Sequence, residues 1–79
     1  MDIRHQTGII IEKDGRYLVG NVVGLNILRW SESPWDAWRT RKRENADLVA
    51  RAVGGRQMLF NPVAGQLKIL HPVALQNVI

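Results

Sequence analysis

The chain has 79 residues, which limits it to one domain (1–79) with a thin core, because a module this size buries only about 60% of the surface its unfolded chain exposes. Hydrophobic content of 46% and charged content of 23% exclude wholesale disorder. The absence of cysteine removes disulfides, cysteine-based zinc sites and thiol nucleophiles together, and the net charge of +4 favours anionic partners without specifying a fold.

Lack of cysteine also fits a reducing compartment, so a cytoplasmic location is expected. The opening MDIRHQTGIII lacks the long apolar run of a signal peptide. No stretch approaches the roughly 18 apolar residues of a membrane span, so no membrane association is expected.

The first readable unit is TGIIIEKDGRYLVGN, in which Asp14-Gly15 supplies the positive φ angles of a two-residue type I′ hairpin turn. That turn predicts Lys13 opposite Arg16, Glu12 opposite Tyr17, Ile11 opposite Leu18 and Ile10 opposite Val19. Ile9, Ile11 and Leu18 then line one face, and Ile10, Tyr17 and Val19 the other. Both faces are apolar, so a helix is expected on one and something else on the second, for which a dimer contact would serve. After Gly24, LNILRW reads as a third strand, with Leu25 and Ile27 on one face and Leu28 and Trp30 on the other.

Ser33-Pro34 reads as a helix start, with Ser33 as N-cap and Asp36 completing an acidic variant of the capping box. Gly54-Gly55 provides the stop, so the helix is predicted over about 34–53. RQMLF and QLKIL flank the turn-forming NPVAG and form a second hairpin. The order β-β-β-α-β-β predicts an α+β fold, an antiparallel or mixed sheet of about five strands with the helix across one face. Residues 1–6 and 71–79 are expected to pack loosely or to lie at an oligomer interface, and the apolar ending HPVALQNVI has no assigned place.

On a helical wheel, Trp35, Trp38, Ala46, Val49 and Val53 form one stripe, interrupted by Lys42 and flanked by Arg39 and Arg41. Because a desolvated, unpaired ammonium costs several kcal/mol by order of magnitude, Lys42 must reach water, meet an acid such as Glu12 or Glu32, or lie where the helix leaves the sheet. Arg43 has Asp47 four residues on, and Asp47 has Arg51, whereas Arg39, Arg41 and Lys42 lack an acid at that spacing and remain available. The plainer interpretation is structural: tryptophans three apart on a helix are usually core, and basic clusters are usually solvated faces. The functional interpretation makes Trp35, Arg39, Arg41, Lys42 and Arg43 a contact surface, because aromatic and cationic side chains together suit stacking on bases or anchoring a protein partner.

Catalysis finds little support. His5 and His71 are not at metal-ligand spacing, Ser31 and Ser33 belong to no nucleophile motif, and the seven acids contain no evident general acid and base pair. The expectation is therefore a binding protein with no catalytic residues, metal or cofactor. A protein partner is the first reading, and nucleic acid or a nucleotide the alternative. The helix as predicted carries five cations and three acids, a modest surplus, and no RNP, KH or zinc-finger pattern is present.

Across residues 8–70, the run LRWSESPWDAWRTRKRENADLVARAVGG followed by LFNPVAGQL resembles the small single-domain orphan proteins carried by phages and prophages. The resemblance lies in overall make-up and brings no site residue with it. It implies inhibition by binding, as in anti-CRISPR-type proteins directed against host defence, without chemistry.

Overall fold

The computed structural model describes residues 6–22 and 27–71. The expectations for Leu25, for residues 1–5 and for the ending after His71 lie outside the described residues. Among the described residues five strands, β1 (Gly8–Lys13), β2 (Arg16–Val22), β3 (Ile27–Ser31), β4 (Arg56–Asn61) and β5 (Gln66–Leu70), form one antiparallel sheet in the order β3-β2-β1-β4-β5. Among the described residues one α-helix, α1 (Arg43–Val53), lies in the connection from β3 to β4. This is the predicted α+β fold with the predicted element order. Among the described residues, no helix is long and apolar enough to cross a membrane.

Asp14 and Gly15 have φ of 53° and 81°, the backbone of the type I′ turn, and Glu12↔Tyr17 and Lys13↔Arg16 pair as the turn dictates. Beyond these two pairs β1 and β2 part, and the chain at 38–40 enters between them. The amide of Trp38 donates to the Leu18 carbonyl at 2.8 Å, while Ile9 and Thr40 exchange both backbone bonds at 2.8 and 3.0 Å. A β-bulge in β2 adjoins the fork: Leu18 opposes Trp30, but Gly20 opposes Arg29, leaving Val19 as the extra residue. Gly20 sits there at φ 153°. The expected pairs Ile11↔Leu18 and Ile10↔Val19 thus give way to an inserted segment.

The helix differs most from expectation. Instead of running over 34–53, the chain makes one 3₁₀ turn at Pro34–Asp36, continues extended through Ala37, and becomes α-helical only at Arg43. Ser33 makes no capping bond. The Ser33 amide donates to Ser31 Oγ, and that hydroxyl donates to Asp36, tying the turn locally. The extended course is stabilised by the backbone bonds to Ile9 and Leu18, which a helix over these residues would forgo. The predicted stop holds: Gly54 adopts the left-handed conformation at φ 73°, and Lys13 donates to the Val53 carbonyl at the helix end.

The sheet has two apolar faces with different covers. On one, Ile9, Ile11 and Leu18 pack with Ala46 and Ala50 of α1, supported by Trp30, Trp38, Val49, Val53, Leu59 and Leu70. Small side chains at Ala46 and Ala50, one helical turn apart, let the helix sit close to the strands. Gly55 serves the same closeness, since a Cβ there would lie 2.8 Å from the Glu12 carbonyl oxygen and from the Ile11 side chain. On the other face, Ile10, Met58 and Phe60 pack with Ala37, and Tyr17 lies against them. The predicted division of Ile9, Ile11 and Leu18 from Ile10 and Tyr17 is observed; Val19 leaves the pattern at the bulge.

Candidate functional site

Because the chain leaves the 3₁₀ turn extended at Ala37 and pairs with Ile9 at Thr40, successive side chains over 37–40 leave on alternate sides, and the tryptophans do not share the stripe predicted for them. Trp38 packs on the helix-side cluster. Trp35 goes to the opposite side, where its ring stands edge-on to Phe60 at 5.1 Å and 87° and lies beside Gly65 in the β4–β5 turn. It remains 47% exposed.

Arg39 follows Trp35 onto this face. Its guanidinium lies 5.5 Å from the centre of the Phe60 ring and donates to the carbonyls of Trp35 and Gln6, each at 3.1 Å. These bonds make Arg39 a clamp holding the turn and the start of β1 together, rather than one of three available cations. Arg43 is also engaged, donating to Gln57 Oε1 at 2.7 Å and to the His71 carbonyl. The expected Arg43–Asp47 pair is replaced by a bridge: Gln57 receives Arg43 and donates to Asp47, whose other oxygen meets Arg51 at 3.1 Å. The Asp47–Arg51 pair was predicted; Gln57, buried on the helix side, was not singled out.

Arg41 and Lys42 are different. Both are exposed, and neither side chain makes a hydrogen bond or ion pair among the described residues. Lys42 interrupts no apolar stripe, because the helix begins after it. Glu12, considered as its partner, is held by Arg56 through two 3.1 Å bonds across the β1–β4 ladder.

Lys42 occupies the N-cap position of α1 without any side-chain cap, its own amide donating to Thr40 Oγ1. A Ser, Thr, Asp or Asn there would stabilise the helix by about 1 kcal/mol. Arg41, Lys42 and Arg43 also crowd the positive end of the helix dipole, where an exposed cation is unfavourable by about 0.3–1 kcal/mol. Glu44 is the one acid in the first turn. This end of the helix therefore lacks both the cap and the charge balance that favour a helix start.

Beside Trp35 the apolar surface continues. Leu67 opposes Phe60 and Ile69 opposes Met58 across the β4–β5 ladder, so both lie on the face away from the helix. They are 37% and 46% exposed. The result is a patch of Trp35, Leu67 and Ile69 over a Phe60 floor, with Arg39 at its margin. Sequence reasoning missed Leu67 and Ile69 as surface residues because alternation in QLKIL does not say which face a helix leaves uncovered.

Among the described residues, no three His, Asp or Glu side chains stand together as a metal-binding group. Fold and site together define a small α+β module with one helix-covered face and one open apolar face with an arginine at its edge. No family model, curated protein or solved structure matches the chain.

Proposed function

We propose that the protein is a non-catalytic binding module that docks a protein partner on the sheet face opposite α1, inhibiting that partner in the manner of phage-borne anti-defence proteins. The observation that carries the docking reading is Trp35: a tryptophan half out of water, braced by Phe60 and Arg39 and continuous with exposed Leu67 and Ile69. Rigid aromatic and arginine side chains of this kind dominate protein interfaces, since they bury much area for little loss of conformational freedom. The inhibitory role rests on the resemblance of the chain's make-up to that class.

A nucleic-acid surface is the weaker reading. It drew on four cations between Arg39 and Arg43, of which Arg39 and Arg43 are engaged within the molecule. Arg41 and Lys42 alone release few counterions from a polyanion.

The test is stoichiometric co-purification from the native host, followed by sedimentation of the isolated protein and of the complex. One protein retained in a defined ratio by the wild type, and lost with Trp35→Ala at unchanged circular dichroism, is the expected result. Equal retention by the variant would sink the proposal. Self-association abolished by Trp35→Ala would give the face to a second copy of the chain instead.

A further inference from the structure

Arg41 and Lys42 do not stand on a flat surface. With Thr7, Arg39, Thr40 and Asn45 they line a hollow of about 300 Å³ between the start of β1 and the beginning of α1. From this lining we infer that the hollow is a binding site for the phosphate group of a small anion. The inference does not depend on the protein-docking reading, which concerns the patch around Trp35.

Among the described residues that line it, three are cationic and none is acidic. Among the described residues, Glu12 is engaged with Arg56, Asp47 with Arg51 and Gln57, and Asp36 with Ser31. Glu44, in the first turn of α1, does not line the hollow. Arg41 and Lys42, whose side chains have no partner among the described residues, attract anions more strongly from a concave, partly enclosed space than they would from a convex surface.

The remaining donors suit phosphate oxygens. Thr40 Oγ1 already accepts from the Lys42 amide, so its own proton is left to donate, and Thr7 and Asn45 add a hydroxyl and an amide. Arg39 is held by the Trp35 and Gln6 carbonyls, which fixes one cationic wall, while Arg41 and Lys42 supply the adjustable charge. A volume of about 300 Å³ is at the lower end for small-molecule sites, enough for a phosphate and its nearest substituents and far short of a duplex groove.

The measurement is an amide NMR titration of the full chain at constant ionic strength, with inorganic phosphate, a mononucleotide and chloride as separate arms. Saturable shifts confined to the neighbourhood of Thr7 and of Thr40–Asn45, at millimolar phosphate or below and absent with chloride, are expected. A mononucleotide binding at least tenfold tighter would identify the phosphate as part of a nucleotide; equal affinity would identify a free phosphate. The double variant Arg41→Gln, Lys42→Gln should weaken binding at least tenfold with an unchanged or higher melting temperature, while Trp35→Ala should leave it intact. Non-saturable shifts, shifts equal with chloride, or undiminished binding by the double variant would overturn the assignment. So would a single-stranded oligonucleotide that outcompetes the mononucleotide with a steep log-log salt dependence, since that would make the hollow part of a polyanion track.

Discussion

On the helix side of the sheet, Ile9, Ile11 and Leu18 meet Ala46 and Ala50, and half-buried aromatic and aliphatic side chains pack around them, with exposed Leu28 beside a hollow at the flank of α1. On the other side, Ile10, Met58 and Phe60 are covered by Ala37, Tyr17 and the edge of the Trp35 ring, and Leu67 and Ile69 stay open. Both faces depend on the same central strand, and both draw on residues 34–53: the helical second half covers one, and the first half contributes Trp35, Ala37 and Arg39 to the other. A helix covers the centre of a face because an entire stripe of side chains descends on it. An extended segment offers every second residue, which leaves part of the face to water or to a partner.

The largest expected effect tests whether the thinly covered face is nonetheless core. Phe60 is fully buried and supports both Trp35 and Arg39, so Phe60→Ala should destabilise the protein by about 3–5 kcal/mol, measured by urea unfolding, and leave little folded chain. A loss below about 1 kcal/mol would mean the second face is not packed as described. On the helix side, Gln57→Ala removes the bridge between Arg43 and Asp47 and should cost about 1–3 kcal/mol in the same assay. A neutral result would show that Arg43 and Asp47 find each other directly.

Smaller effects separate structure from function. Lys42→Asp should raise stability by about 1 kcal/mol, because it supplies the missing N-cap and removes a cation from the positive end of the dipole. A lower melting temperature would restore Lys42 to a structural role. Ile69→Thr on the open face should change stability by no more than about 0.5 kcal/mol, as expected of a half-exposed edge-strand position away from core or cap.

Much of this was legible in the sequence where local chemistry decides. Asp14-Gly15 can hardly be anything but a hairpin turn, and Gly54 is a helix stop for the same conformational reason. The face assignment of Ile9, Ile10, Ile11, Tyr17 and Leu18 followed from the turn register alone. The segment from Pro34 to Lys42 was misread because Ser33, Pro34 and Asp36 satisfy the rules for a helix start, and tryptophans three apart satisfy its period. What overrode them is non-local: amides of Trp38 and Thr40 find carbonyls on Leu18 and Ile9, twenty and thirty-one positions earlier in the chain. No window of local sequence contains that information. The same insertion explains the site, since it sends Trp35 and Trp38 to opposite faces and turns Arg39 into a clamp while leaving Arg41 and Lys42 exposed.

The claim that the open face is the one that binds is tested most directly by placing the same charge on each side of the molecule. Ile69→Lys alters the open face, and Leu48→Lys alters an exposed position on α1. Both variants should retain the wild-type circular dichroism spectrum. The account predicts that Ile69→Lys no longer retains the protein partner that co-purifies with the wild type, and that Leu48→Lys retains it fully. Loss of the partner with Leu48→Lys and its retention with Ile69→Lys would contradict the account and move the binding surface to the helix.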